Sequence, residues 1–188
     1  MAQLQAFQYL QARCASFADD ELTAQRLDTL YGEADTQGDP LAKLPLRLHR
    51  EGRSPDPALR EAAVAAVLAT ADPWLFEDIG WRLSLGAMKQ GGMAVWFDGQ
   101  PYPLSEDPAI AAAYSLVPCR LGLPCDATDL TLALPCAVEA ECFTSREEKL
   151  RRTLGRDDPA RWAEILQWTD RIVAVIRTGR ASAFSRRS

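Results

Sequence analysis

Four of the five cysteines lie within one short stretch, in which a single motif occurs twice. The motif is Pro-Cys-x5-Cys, and its two copies are PCRLGLPC and PCAVEAEC, the second displaced by 17 residues. Cysteine side chains bind metal ions, form disulfides or pack as free thiols. The segment 118–142 is therefore where the sequence concentrates side chains that could do chemistry.

The spacing within each pair disfavours a metal site. Zinc ligands are usually paired as Cys-x2-4-Cys because the short loop must aim both sulfur atoms at one ion. Five residues separate the cysteines of each pair, and His49 is the only histidine in the chain. We therefore predict no metal site and no cofactor, which leaves disulfides as the favoured interpretation and free buried cysteines as the alternative.

Two local disulfides fit the spacing if the chain turns between the cysteines. A disulfide requires Cα atoms within about 7 Å, whereas residues six apart on a continuous helix are separated by about 9 Å along its axis. Gly122 and Pro124 supply a turn in the first pair, but the second pair has no helix breaker between its cysteines. Four cysteines allow three pairings. We favour Cys119–Cys125 first and Cys136–Cys142 second, with Cys14 either free or able to pair with another cysteine.

The dipeptide Asp-Pro recurs where runs of apolar periodicity begin. Aspartate accepts hydrogen bonds from the free N–H groups of a first helical turn, and proline is tolerated at the first helical position because no donor is needed there. Each dipeptide therefore predicts the start of a helix. The five are Asp39-Pro40, Asp56-Pro57, Asp72-Pro73, Asp107-Pro108 and Asp158-Pro159.

These starts and the apolar spacing predict an all-α fold in one domain over residues 1–178. Helices near 3–17, 20–34, 40–50, 57–69 and 73–86 are expected to form antiparallel hairpins in a repeat-like stack over residues 3–86. A further helix follows Asp107 and leads into the cysteine segment. Ser145 and Glu148 have the spacing of a capping box for a helix to about Leu154. A closing helix is predicted over residues 159–178.

The segment 87–105 interrupts the helical pattern. It contains Gly91-Gly92, a short apolar run and an Asp98-Gly99 turn, which predict a long loop or a small β-hairpin near 90–104. Its aromatic residues are candidate partner-binding side chains, although they would equally suit covering the end of the helical stack. These residues are Trp96, Phe97 and Tyr102.

The charge is unevenly distributed. Residues 1–144 contain 10 Lys/Arg and 20 Asp/Glu, whereas residues 145–188 contain 11 and 6, and the chain carries a net charge of −5. An acidic body argues against nucleic acid as a partner and favours a basic protein. We expect the small, basic end, residues 179–188, to be a flexible tail.

The composition is that of a globular protein, with 47% hydrophobic and 25% charged residues. No apolar run of 18 residues is present, so we predict no transmembrane segment. The N-terminal residues lack the basic and apolar regions of a signal peptide, although a mature exported protein would lack them as well.

The spacing of the helix starts resembles that of tetratricopeptide and SEL-like repeats. The first three Asp-Pro starts are 17 and 16 residues apart, so two units make a helical hairpin of about 33 residues. The segment ADTQGDPLAKLPLRLHREG resembles a SEL-like frame G-D-x-x-A…L…G, and the likeness extends over residues 34–86. The resemblance implies a protein-binding helical scaffold.

The cysteine segment is similar to one in uncharacterised exported proteins of proteobacteria. Those proteins carry C-x-L-G-x-x-C followed by a second Cys-x5-Cys behind helical repeats, and the likeness extends over residues 34–145. The resemblance implies a fold and a periplasmic or exported location, with a cytoplasmic location as the alternative. It implies no activity.

No catalytic motif is evident from the sequence. The chain has no phosphate-binding loop and no Gly-x-Ser-x-Gly motif. Glu77 and Asp78 are adjacent carboxylates, but adjacent residues on a helix do not face each other. We therefore predict a non-enzymatic, protein-binding protein of the bacterial envelope, and more specifically an immunity or inhibitor protein. Glu77 and Asp78 are candidate partner-binding residues. The alternatives are a carboxylate-dependent hydrolase and a structural cytosolic repeat module.

Thiol titration of the denatured, unreduced protein tests the disulfide prediction. If two disulfides are present, one of the five cysteines reacts with the thiol reagent. If all cysteines are reduced, as is usual in the cytosol, five react. Five thiols would contradict both the disulfides and the exported location.

Overall fold

The computed structural model describes residues 1–15, 17, 23–37, 44–45, 47–48, 56–88, 91–154 and 158–184. Within these residues the chain is mostly helical, with one small antiparallel sheet. The all-α prediction is therefore correct for the main architecture, and the repeat-like stacking stays a prediction. The elements are α1 (Ala2–Cys14), α2 (Ala24–Thr36), α3 (Pro57–Thr70), α4 (Pro73–Ser84), β1 (Leu85–Ala87), β2 (Met93–Phe97), β3 (Gln100–Pro103), α5 (Pro108–Leu121), α6 (Leu130–Glu139), α7 (Arg146–Leu154), α8 (Pro159–Arg177) and a C-terminal 3-10 helix (Ala181–Phe184).

Four of the predicted Asp-Pro starts begin helices, namely α3, α4, α5 and α8. Asp72 accepts a hydrogen bond from the Leu75 backbone N–H at 2.7 Å, and Asp158 accepts one from the Arg161 N–H at 3.0 Å. These bonds satisfy donors that a first helical turn leaves free. The fifth start, at Asp39, lies outside the described residues, as does most of the helix predicted near 40–50.

The segment between α4 and α5 forms a three-stranded sheet in the order β1-β2-β3. Asp98 and Gly99 link β2 to β3 with φ angles of +53° and +74°, which a two-residue hairpin turn requires. The hairpin expected near 90–104 is therefore present. The helix predicted over 73–86 ends at Ser84 instead, and Leu85 pairs with Val95 as part of β1.

The core is built around α5, which packs against α4 on one side and α8 on another. Phe76 of α4 stacks on Tyr114 of α5 with ring centroids 5.8 Å apart. On the α8 side, the apolar residues Ile165, Ile172 and Ile176 are fully buried. The closing helix predicted over 159–178 is thus present as α8 and completes the core.

Residues 179–184 belong to the segment 179–188 that the sequence predicts to be a flexible tail, and they contact the core, whereas residues 185–188 lie outside the described residues. Ala181–Phe184 forms a 3-10 helix, and Phe184 is buried with its ring 6.1 Å from that of Phe97. The backbone is fixed as well, because Asp98 N donates to Ala183 O at 2.8 Å and the Arg60 guanidinium donates to Phe184 O at 2.9 Å. One aromatic residue and two hydrogen bonds therefore hold a segment whose composition alone predicts disorder.

Gly80 should be intolerant of alanine. A Cβ at this position would lie 2.6 Å from the ring of Phe76, which is buried and stacks on Tyr114. Overpacking of this kind costs about 1–3 kcal/mol, so Gly80→Ala should lower the free energy of unfolding by that amount in urea denaturation.

Gly32→Ala is the matched control for this substitution. Gly32 is also helical, but a Cβ there meets no atom within 4 Å. Alanine should stabilise that position by up to about 1 kcal/mol through helix propensity. Equal effects of the two substitutions would contradict the packing described for Phe76.

Candidate functional site

The first cysteine pair closes the connection that follows α5. The sulfur atoms of Cys119 and Cys125 are 2.01 Å apart, which is disulfide distance. Gly122 ends α5 with a φ of +114°, as the predicted turn requires, and its N–H bonds back to Cys119 O at 3.2 Å. The chain therefore reverses where the sequence places a residue that can adopt a left-handed conformation.

The second cysteine pair closes the connection that follows α6. Cys136 lies within α6, and its sulfur is 1.93 Å from that of Cys142. The turn that brings them together is at Ala140, which has a φ of +61°. The sequence contains no glycine or proline there, so the turn could not be predicted from residue type.

A pair of backbone contacts joins the two cysteine connections. Asp126 and Ser145 form an antiparallel β-bridge, and the Arg146 N–H donates to Cys125 O at 3.0 Å. Ser145 also accepts from the Glu148 N–H at 3.1 Å, so the predicted start of α7 is correct. Each connection is closed by two cysteines at disulfide distance, and backbone hydrogen bonds join the two connections to each other. Together these contacts fix Arg146 beside α6.

Arg146 is buried where four helices meet. Its Nη1 donates to Glu77 Oε2 of α4 at 2.7 Å and to the Ser115 carbonyl oxygen of α5 at 3.2 Å. Its Nε and Nη2 donate to the two carboxylate oxygens of Asp129, with an Nη2–Oδ1 distance of 3.1 Å. Asp129 also caps α6 by accepting from the Thr131 N–H at 2.9 Å. We call Arg146, Asp129 and Glu77 the ion cluster.

Hydrogen bonds keep the buried members of the ion cluster charged. Burial by itself raises the pKa of Asp129, but hydrogen bonds from Arg146 and Thr131 outweigh it, so this pKa lies below its ordinary value. Burial lowers the pKa of Arg146, whereas the hydrogen bonds to Asp129 and Glu77 raise it, and the net shift is upward. Both groups are therefore ionised at neutral pH.

A cleft of ≈ 510 Å³ lies beside the ion cluster and is bordered by α4, α5, α6 and α7. Its aromatic lining consists of Phe76, Trp81 and Tyr114, of which Trp81 meets Tyr114 edge-on at 5.7 Å. The Tyr114 hydroxyl is hydrogen-bonded to the Ser84 hydroxyl within the core. Burial raises the pKa of Tyr114 well above its ordinary value. Lys149 contributes a cation to the lining.

An apolar row runs along the solvent side of α6. Leu130, Leu134 and Val138 are spaced four apart and are 47% to 70% exposed. Residues with this spacing share a helix face, and the opposite face of α6 is buried through Leu132 and Cys136. Trp74, at the start of α4, is 62% exposed and lines the same groove as Leu130. We call Trp74 and the three α6 residues the apolar row.

The aromatic residues predicted to bind a partner belong mainly to the core. Phe97 is fully buried, and its ring meets that of Trp168 at 5.9 Å. Tyr102 is half-buried, with its ring 4.8 Å from that of Trp168. Trp96 is half-buried, and its indole N–H has no hydrogen-bond partner in the described part of the chain. Phe97 and Tyr102 therefore pack against α8, which agrees with the alternative that they cover the end of the helices, whereas partner binding by Trp96 stays a prediction.

The two predicted carboxylates separate on α4. Glu77 joins the ion cluster, whereas Asp78 is exposed. A third carboxylate, that of Asp98 in the turn between β2 and β3, forms an ion pair with Arg180 at 2.7 Å and helps to hold the C-terminal segment. Cys14 is an exposed free cysteine. His49 lies outside the described residues.

Sequence reasoning missed Arg146, Asp129 and Lys149 and the helix α6 itself. A usable local feature was present, because Asp129 precedes an apolar run spaced by four, which is typical of a capped helix. Nothing local could connect Asp129 to Arg146 or to Glu77, since the partners lie 17 and 69 residues from Arg146.

Comparison of the chain with protein-family models, with curated proteins and with solved structures found no match. Among the described residues, no helix is both long and apolar enough to cross a membrane. The same residues contain no group of three or more side chains placed to hold a metal ion.

Asp129→Asn should destabilise the protein in a pH-dependent way. Asparagine leaves Arg146 paired with Glu77 but removes the charge from two hydrogen bonds to the guanidinium. A hydrogen bond to a charged group contributes about 1.5–3 kcal/mol, so we expect a loss of about that size at neutral pH. A carboxyl whose folded-state pKa is lowered contributes stability above its ordinary pKa of 3.8, and this contribution is lost as the pH falls through the folded-state value. Wild type and variant should therefore converge in acid.

Urea denaturation from neutral pH to about pH 2 measures this convergence. Asp170→Asn, at an exposed position on α8, is the control and should change the free energy of unfolding by less than about 0.5 kcal/mol. A difference between wild type and Asp129→Asn that stays constant down to the lowest pH would contradict the charged pair.

Proposed function

We propose that the protein is a non-enzymatic binding protein of the bacterial envelope that contacts another protein through α6. The observation that carries the proposal is the apolar row. Exposed apolar side chains scattered singly are ordinary, but a contiguous set on one helix face is typical of a protein-binding surface. Leu130, Leu134 and Val138 form such a set, and Trp74 extends it onto α4.

The row is presented by rigid parts of the molecule. Asp129 caps the start of α6 and is held by Arg146, while Cys136 near its end is at disulfide distance from Cys142. A surface fixed before binding loses little conformational freedom on binding, which favours affinity. Tryptophan is also among the residues that most often dominate binding energy at interfaces.

Acidic residues flank the row and favour a basic partner. Asp78 lies one helical turn beyond Trp74, and Glu139 directly follows Val138, both in exposed positions. Charges at the rim of an interface mainly speed association and select partners of opposite charge. A basic enzyme or toxin would meet this description, so an inhibitor or immunity role is the specific form of the proposal.

The two cysteine pairs at disulfide distance support an oxidising compartment. A periplasmic or exported location agrees with the resemblance of the cysteine segment to exported proteins of proteobacteria. The resemblance to tetratricopeptide and SEL-like repeats supports a helical scaffold that stacks hairpins and presents side chains to a partner. In this proposal α3 and α4 are one such hairpin.

The double substitution Leu134→Glu with Val138→Glu tests the contact surface. The partner is captured from the periplasmic fraction of the source bacterium with the wild-type protein, purified, and titrated against each variant. Two central apolar contacts each worth more than about 1 kcal/mol predict affinity weaker by about thirtyfold or more. The wild-type affinity should also fall as salt is raised, because the partner is basic.

Leu4→Glu with Phe7→Glu is the matched control. These residues of α1 are exposed to a similar degree and acquire the same charge, but they lie outside the apolar row. The control should bind like wild type. Equal weakening in both double variants would contradict the assignment to α6, and sedimentation showing that the row mediates self-association would contradict a foreign partner.

A further inference from the structure

The cleft beside the ion cluster has the dimensions and composition of a small-molecule site. Its volume of ≈ 510 Å³ lies within the range of about 300–1,000 Å³ that such sites occupy. Thr131 and Leu132 line it, whereas Leu130 and Leu134 of the apolar row lie on a different face of α6. A ligand in the cleft would therefore leave the proposed protein-binding surface accessible.

Glu77 lines both this cleft and the groove beside Trp74, and one of its carboxylate oxygens is available to a donor. One guanidinium serves two carboxylates in the ion cluster, so the cluster carries one negative charge in excess. Asp129 is 4% exposed and Glu77 is 28% exposed. Arg146 occupies Glu77 Oε2, and Oε1 receives no hydrogen bond from any residue within the described ranges. The excess negative charge is thus most accessible at Oε1.

Lys149 offers the same cleft an available cation. It lies three residues after Arg146 on α7, on the same helix face. Its ammonium group makes no ion pair with any side chain in the part of the chain that the structure describes, Glu77 included. The cleft therefore presents one carboxylate and one ammonium group that do not neutralise each other directly.

We infer that this cleft binds a small zwitterion with an apolar side chain, namely a free hydrophobic α-amino acid. The ligand's ammonium group donates to Glu77 Oε1, and its carboxylate accepts from Lys149. Its side chain packs against the aromatic wall that Phe76 and Trp81 provide. Opposite charges held apart beside an apolar surface match the three parts of such a ligand and leave no charge uncompensated.

Calorimetric titration of the full chain with L-phenylalanine tests the inference. Three related probes each remove one part of the ligand. L-Phenylalaninamide lacks the carboxylate, N-acetyl-L-phenylalanine lacks the ammonium group, and glycine lacks the apolar side chain. Loss of one charged hydrogen bond should weaken binding by about tenfold or more, and glycine should show no heat of binding.

Lys149→Met should remove the discrimination between the amino acid and its amide. The variant lacks the group that recognises the carboxylate, so it should bind L-phenylalanine about tenfold more weakly and bind the amide as wild type does. Arg151→Met is the matched control, because Arg151 is an exposed cation on the same helix that does not line the cleft. The control should retain the wild-type preference.

A steric variant tests the location without changing charge. Ala111 lines the cleft, so Ala111→Phe should fill it and abolish binding, whereas Ala163→Phe at an exposed position on α8 should not. Far-ultraviolet circular dichroism verifies that each variant is folded. The inference is overturned by no binding of L-phenylalanine up to about 10 mM, by equal affinity for the amino acid and its amide, or by wild-type affinity in the folded Ala111→Phe variant.

Discussion

The structure around the cysteines depends on the burial of one guanidinium group. Arginine stays protonated in proteins, and a buried charge is tolerated only when partners satisfy it. Arg146 therefore requires a carboxylate from α6, a second from α4 and a backbone carbonyl from α5, all within hydrogen-bonding distance. The positions of four helices are constrained together, because moving any one of them away would break a hydrogen bond to this buried charge.

The cysteine pairs make this arrangement of charges attainable. Each closes a loop of only seven residues, which in the chain-entropy model stabilises the folded state by about 2 kcal/mol. Their geometric effect is more specific than this energy. The disulfide-distance contact of Cys125 fixes its backbone carbonyl, which accepts a hydrogen bond from the Arg146 N–H. The contact of Cys142 fixes the turn that leads into α7. Both connections that hold the backbone of Arg146 are therefore fixed, and its side chain loses little conformational freedom when the ion cluster forms.

Local chemistry explains which features could be predicted from the sequence. The Asp-Pro helix starts, the Ser145 cap of α7 and the Asp98-Gly99 turn each depend on bonds within four residues, so residue type and spacing are sufficient. The pairing of Cys119 with Cys125 is also local and has Gly122 at its turn, whereas the turn at Ala140 that brings Cys136 to Cys142 has no glycine or proline to indicate it. The main omissions were the ion cluster, in which Arg146 meets Glu77 across 69 residues, and the anchoring of Phe184, in which Arg60 spans 124. No periodicity encodes such contacts.

Short elements posed a different difficulty. β1 has three residues and α6 has ten, and helices of that length are marginal on their own in water. Their existence is decided by the partners they pack against. Leu85 lies in a strand because β2 is available beside it, although its sequence continues the pattern of α4.

The same dependence underlies the role that we propose for α6. One side of the helix is committed to Arg146, to Cys142 and to contact with α1, while the other exposes the apolar row. A helix that had to form its own hydrophobic contacts would place Leu134 and Val138 inward. Because the ion cluster and the cysteine pair already fix α6, these two side chains are free to face solvent. The proposed protein-binding role requires a stable apolar face turned outward, and the buried arginine behind α6 supplies that stability.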